Sequence, residues 1–525
     1  MSITGDWDRR ISRRTLLRTG GTLAAGVVLA PALARATSWS AGGDPFSLGI
    51  ASGDPTPDGV VLWTRLAPAP LTVDGGMGTQ RCAVQYEVAL DEQFKFPVRR
   101  GTEYAVAEWA HSVHVDVRGL LPAREYFYRF KWGAHVSPVG RTRTAPPPFF
   151  ANRELKFAFV SCQNWANGYF NAYEDIVARD PEFVVHLGDY IYENYGGVAP
   201  FQQPLPAVEL MTLSDYRIRH AQTKTDPDLQ AAHAALPFLV TWDDHEVDNA
   251  YANLENESGQ SVDVFRARRA AAYKAYYEHM PLRGSSMPSG PDMDLYRRFH
   301  WGRLATVNMI DGRQYRSGDV SGGTRRRHGY TDAEIDPSRT MLGGAQMAWL
   351  LEELSSSQAG WNVLANNKAF APVDRNTAID RVAFNNPTTW DGYVADRQRI
   401  LDAIAARRGL NAVVITGDTH SNYVRNVPPN FNSLDGAPVA TEFLGTSVST
   451  GGDKEEPVIQ WQDDSHNPHQ LLRNNNRGYV ECVLTPQLWA TNFRIVPSVE
   501  TRVHGQGSTL TSFVVESGRG GAARA

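Results

Sequence analysis

Five short apolar runs, each ending abruptly in a polar residue, constrain this chain more than any other feature. Leu155 to Val160 stops at Ser161-Cys162, Phe183 to Leu187 at Gly188-Asp189, and Phe238 to Trp242 at Asp243-Asp244. Leu304 to Ile310 stops at Asp311, and Ala412 to Thr416 at Gly417-Asp418. A half-exposed strand alternates apolar and polar side chains, whereas a run that is apolar throughout reads as a strand covered on both faces. Helix-length amphipathic stretches lie between the runs, near 262–280, 343–357 and 393–408. This alternation predicts an α/β domain over 154–510, with strands returning after about residue 438.

The flanking regions read differently. Within 45–145, segments such as His111-Ser112-Val113-His114-Val115-Asp116-Val117 and Tyr126-Phe127-Tyr128-Arg129-Phe130 alternate with period two between turn clusters. That pattern predicts a small N-terminal β-sandwich of immunoglobulin or fibronectin type. Three consecutive prolines, Pro146 to Pro148, mark 146–153 as a stiff linker. The Gly/Ala/Arg-rich end of the chain leads us to expect a partly disordered tail over 511–525.

Residues 1–36 have the layout of a signal peptide: a basic region with Ser12-Arg13-Arg14-Thr15-Leu16-Leu17-Arg18, a weakly apolar stretch, then Ala34-Arg35-Ala36. The paired arginines point to the twin-arginine translocase, and so to a periplasmic or extracellular location. Gly20, Gly21, Gly26 and Pro31 interrupt a stretch already short of the roughly 20 apolar residues of a membrane span. With six arginines and two aspartates there, this segment lifts the formal charge of the chain to −5, and the remainder carries −9. Neither value gives a case for nucleic-acid binding. Only 3 cysteines occur, too few for a disulfide framework.

Open α/β sheets place their sites at the carboxyl ends of the strands. Here those ends bring Cys162, Asp189, Asp243-Asp244-His245-Glu246, Asp311 and Asp418-Thr419-His420 toward one rim. Buried carboxylates without partners cost several kcal/mol each, and few basic residues sit in these motifs. Metal cations would neutralise the set and account for the thiol and imidazoles within it. For any single aspartate, a helix N-cap is the simpler reading.

Ser161-Cys162-Gln163, His186-Leu187-Gly188-Asp189-Tyr190-Ile191-Tyr192-Glu193, Thr241-Trp242-Asp243-Asp244-His245-Glu246 and Thr416-Gly417-Asp418-Thr419-His420 together resemble the motifs of the alkaline phosphatase D (PhoD) family of metallophosphoesterases. The resemblance implies a two-sheet α-β-β-α sandwich and a metal-dependent phosphatase. It implies that Asp189 bridges metals, that Cys162 and Tyr192 ligate a ferric ion (Fe3+), and that Asp418 and His420 form a ligand pair. Calcium (Ca2+) would be held by Asp189, Asp244 and Asn249, since it favours carboxylate and amide oxygens. Asp244 stands where these enzymes generally carry Asn, and Asn366-Asn367 where this family usually carries paired Gln.

The implied reaction is hydrolysis of a small phosphate ester by a metal-bound hydroxide, in a monomeric enzyme. His245 is the candidate acid for the leaving alkoxide. Arg313 completes the catalytic set, its fork matching phosphate oxygens, and the same reading applies to Arg217, with surface pairing as the alternative for both. A phosphodiesterase of phospholipase D type, acting on phospholipid, is the nearest alternative. A surface-binding role for the β-sandwich and an iron–tyrosinate redox protein are the others.

Overall fold

In a computed structural model of the protein, residues 43–194, 200–320, 332–373, 388–407, 409–431, 434, 436–454, 459–460 and 467–525 are described. Residues 1–36, expected to be an export signal, and the Arg325-Arg326-Arg327 run lie outside them. Residues 43–525 make one compact unit of mixed α/β structure.

The apolar runs become the middles of two sheets. In the first, of ten strands, Leu155–Val160, Phe183–Leu187, Pro237–Thr241 and Ile50–Thr56 lie side by side in parallel. In the second, of eight strands, the parallel set is Ala305–Met309, Trp361–Asn366, Ala412–Thr416 and Ala440–Leu444. Successive side chains of a strand point to opposite faces. Accordingly Phe183, Val185 and Leu187 enter an apolar core between the sheets, together with Val307, Val363 and Val413. Their neighbour Val184 joins Phe265, Tyr273 and Tyr276 of the helix Val262–His279 on the outer face. The helices Gly343–Ser356 and Val394–Ala406 bury Leu350, Ile400 and Leu401 with Leu364 and Val414 of the eight-stranded sheet. Both faces of each central strand are covered, which is why the runs are mainly apolar and the polar His186 and Asn308 within them are fully buried.

The structure refines two expectations and corrects a third. The two facing sheets of the 45–145 segment are not separate from the rest of the chain. Its strands Ile50–Thr56, Gly59–Arg65 and Ser112–Arg118 end the ten-stranded sheet, with Ser52 opposite Pro237 across a parallel pair. A separate five-stranded sheet, containing Cys82–Ala89, Pro97–Ala105 and Glu125–Trp132, closes over that end. Its Val84 and Tyr128 share a core with Val60, Leu62 and Val115. Alternation identifies a half-buried strand but not the sheet it joins. The prolines at 146–148 are no free linker either, because the Pro146 and Phe150 carbonyls accept N–H groups from Gly302 and Arg303. Finally, the tail is structured: Ser508–Glu516 and Ala522–Arg524 add the last two strands to the ten-stranded sheet. Backbone pairing there outweighs a composition poor in large side chains.

Candidate active site

The carboxyl ends of the two parallel sets face one rim, and small residues allow the close approach. A Cβ on Gly188, whose φ is +107°, would lie 2.5 Å from the Asp243 nitrogen. One on Gly417 would lie 2.6 Å from Ser161 Oγ. Cys162, Asp189, Asp418 and His420 all take left-handed backbone, with φ of 60°, 57°, 74° and 55°. Non-glycine residues held there cost of order 1 kcal/mol or more each and cluster at functional sites.

Four groups of ligand-type side chains result among the described residues, one of them joining Asp189 to Asp244 and His245 and another formed by Glu193, Asp248 and Glu257; the other two make the rim. In one, Cys162, Asp189 and His420 bring Sγ, a carboxylate oxygen and a ring nitrogen within 4.8 Å of one another. Tyr192 Oη donates to Asp189 Oδ2 at 2.9 Å and lies 3.3 Å from His420 Nε2. Asp189 Oδ1 is buried and has no hydrogen-bond partner, and among the described residues Asp189 has no ion-pair partner. Burial, then the carboxylates of Asp244 and Asp418, push its carboxyl up to about 6 against the pull of His245 and Lys368. Burial and Asp189 likewise hold the Cys162 thiol and Tyr192 phenol well above their usual values. Burial pushes the His420 imidazole down to about 4, leaving it neutral and able to ligate. An anionic thiolate and phenolate here would need a cation alongside.

In the other group, Asp243, Asp244 and Asp418 also place carboxylate oxygens within 4.8 Å of one another. Their charges are partly met from within the chain. Arg313 Nε donates to Asp243 Oδ1 at 2.6 Å, and its Nη2 reaches Asp244 Oδ1 at 2.9 Å. Lys368 Nζ pairs with Asp418 and sits 3.2 Å from Asp243 Oδ2. Although burial opposes ionisation, Arg313, Lys368 and His245 hold Asp244 well below the usual carboxylate range.

These contacts correct the expectation of too few basic residues, and the role given to Arg313. Its side chain has 0% exposure and its guanidinium is occupied by Asp243, Asp244 and the Tyr251 carbonyl, so it positions carboxylates instead of meeting phosphate. Arg217 is paired by both oxygens of Glu278. Asn249 gives its side-chain N–H to Glu257 at 2.8 Å and its backbone N–H to Glu193. Asn367 donates to Asp243 Oδ1, while Asn366 bonds Trp390 and the Lys368 backbone. All three cysteines are free and buried.

His245 is fixed by Glu193, whose Oε2 lies 2.7 Å from Nδ1, and its ring lies 4.2 Å from that of Tyr192. Burial lowers its basicity, but Glu193 and Asp189 override that and raise it well above the usual range. Sequence reasoning missed Glu193, Lys368 and Thr450. Thr450 Oγ1 lies 2.8 Å from Tyr192 Oη, yet Thr450-Gly451-Gly452 carries no ligand signature of its own.

A buried rim of carboxylates, thiol, phenol and imidazole on paired α/β sheets defines a hydrolase of the phosphoesterase class. The comparisons agree. The family model described as PhoD-like phosphatase matches residues 157–493, and that of the PhoD-like phosphatase N-terminal domain matches 31–146. Alkaline phosphatase D of Bacillus subtilis (strain 168) is 46% identical over 484 residues, covering 91% of this chain and 82% of that protein. A solved structure of PhoD shares 44% identity with a TM-score of 0.87, covering 93% of each chain. The chain belongs to the PhoD-like phosphatase family and is a phosphoric ester hydrolase.

Proposed function

We propose that this enzyme is a metal-dependent alkaline phosphatase that acts on phosphate monoesters and diesters after export. The buried, unpartnered Asp189 Oδ1 carries the reading, because a lone carboxylate oxygen beside a thiol and an imidazole fits a cation better than any protein group. Cys162, Asp189, Tyr192 and His420 offer sulfur, phenol, carboxylate and imidazole donors, a mixed set suited to ferric iron. Asp243, Asp244 and Asp418 offer only hard oxygens, as calcium prefers. Bound ions would supply positive charge to the phosphoryl oxygens and acidity to an attacking water.

The chain's own groups do the rest. Glu193 holds Nδ1 of His245, leaving Nε2 to hand a proton to the departing alkoxide. Glu246 accepts the Tyr190 and Asp243 N–H groups, tying the Asp189 and Asp243 loops together. Elemental analysis with a visible absorption spectrum tests the assignment. Iron, with a band that shifts in Tyr192→Phe, supports it; zinc alone and no colour overturns it. Turnover of a monoester, a diester and a phospholipid then separates the ester classes.

Export rests on the Ser12-Arg13-Arg14-Thr15-Leu16-Leu17-Arg18 segment. Replacing Arg13 and Arg14 by lysine should leave activity inside the cell; unchanged export overturns the twin-arginine reading.

A further inference from the structure

The two ligand groups differ in one respect that their donor atoms alone do not reveal. Among the described residues no lysine or arginine pairs with Asp189, although a His245 ring nitrogen lies within 4.8 Å of its carboxylate. The Asp243–Asp244–Asp418 pocket already contains one that reaches its centre. Lys368 Nζ contacts Asp418 Oδ1, lies 3.2 Å from Asp243 Oδ2 and 3.7 Å from Asp244 Oδ1. Its side chain is only 4% exposed.

The second oxygens of Asp243 and Asp244 are engaged elsewhere. Asp243 Oδ1 accepts from Arg313 and Asn367, and Asp244 Oδ2 accepts the Ala250 N–H at 2.7 Å. Arg313 therefore grips the carboxylates from one side, its Nη2 also reaching Asp244 Oδ1 at 2.9 Å, while Asp243 Oδ2, Asp244 Oδ1 and Asp418 Oδ1 all turn toward the Lys368 ammonium. An ammonium is a compact cation on a flexible four-carbon stem, able to fill such a point and able to leave it. Calcium needs six to eight oxygens in the same place.

We propose that Lys368 is the resident counter-cation of the Asp243–Asp244–Asp418 pocket, so that a divalent ion enters only by displacing it. The Cys162–Asp189–Tyr192–His420 group takes its ion without such competition. This rests on the metal reading given above and adds an order of occupancy to it. The first ion binds at the thiol, and the second competes with a lysine.

The experiment titrates calcium into the iron-loaded enzyme after calcium has been stripped, comparing wild type, Lys368→Met and Lys368→Arg. Lys368→Met should bind calcium about tenfold or more tightly than wild type, with iron content unchanged and a larger rise in melting temperature on calcium addition. Lys368→Arg should bind no more tightly than wild type. Equal or weaker affinity in folded Lys368→Met overturns the proposal.

A second measurement does not depend on the variant folding. In wild type, one bound equivalent of calcium should make Lys368 more reactive toward an amine acetylating reagent, read by peptide mass spectrometry. Calcium binding with Lys368 still protected overturns the displacement. If iron stays bound in both cases, only the role of Lys368 falls. If wild type holds no metal at the thiol group, the metal reading falls and this proposal with it.

Discussion

Asp189 and Tyr190 are neighbours in sequence, but they belong to two buried clusters of opposite character. The Asp189 side carries the rim carboxylates, held with Arg313 and Lys368. The Tyr190 side packs into a pocket of bases beneath the helices. Lys224 Nζ lies 3.2 Å from Tyr190 Oη, His233 Nε2 lies 2.9 Å from it, and His186, His220 and His279 stack nearby. Among the described residues no carboxylate pairs with Lys224. Burial instead moves these groups toward their neutral forms. Lys224 is pushed down to about 7, His186 to about 3, and His220, His233 and His279 well below the usual range. A protein can tolerate buried ionisable groups by pairing them or by discharging them. This one does each on either side of a single peptide bond.

The contrast makes opposite predictions for charge removal, and the largest effect belongs on the rim. Asp189→Asn should lower turnover by roughly 10³-fold or more with loss of bound metal, since it removes the charge of a buried carboxylate that has an oxygen free to ligate. The metal-free variant should melt no lower than metal-free wild type, because no ion pair is lost and the amide oxygen can still accept from Tyr192. A lower melting temperature would show that Asp189 is structurally satisfied.

Arg313→Met should destabilise by about 3–5 kcal/mol in denaturant melts, because it strands Asp243 and Asp244 without their buried partner. Lys224→Met should do the reverse, stabilising by about 1–4 kcal/mol near pH 7. Its folded value of about 7 lies below the ordinary 10.5. The wild-type deficit therefore grows as pH falls from about 10.5 to about 7, and the variant's advantage should fade toward pH 10.5.

The smallest effect isolates one imidazole. His220 has both ring nitrogens without partners and stays neutral when folded, so its contribution is present above about pH 6.5 and is lost as acid protonates the unfolded chain. Relative to wild type, His220→Phe should gain about 2 kcal/mol between pH 7 and pH 5. Parallel pH profiles for the two would show that His220 is protonated in the fold.

The rim was legible in the sequence because strands buried on both faces leave no doubt where they stop. Asp189, Cys162 and Asp418 follow directly from that. Lys368 was equally visible, two residues past the Trp361–Asn366 strand, but counting charges only within the acidic motifs passed over it. Arg313 read as a phosphate ligand because the fork of an arginine suits either anion, and only the fold puts Asp243 behind it. The basic pocket was beyond sequence reasoning. His186, His220, His233 and His279 come from one strand and three helices, and each alone is an unremarkable core residue.

The sheet pairing also bears on when the chain can fold. Ile50–Thr56 must wait for Pro237–Thr241 to be synthesised, and Leu155–Val160 must wait for Gly478–Leu484 on its other edge. Ala522–Arg524 completes one edge of the ten-stranded sheet. Such long-range pairings make for slow folding. Until Gly478–Leu484 is made, the edge of Leu155–Val160 lacks its partner, so a ribosome that stops early leaves an open sheet edge prone to joining other chains.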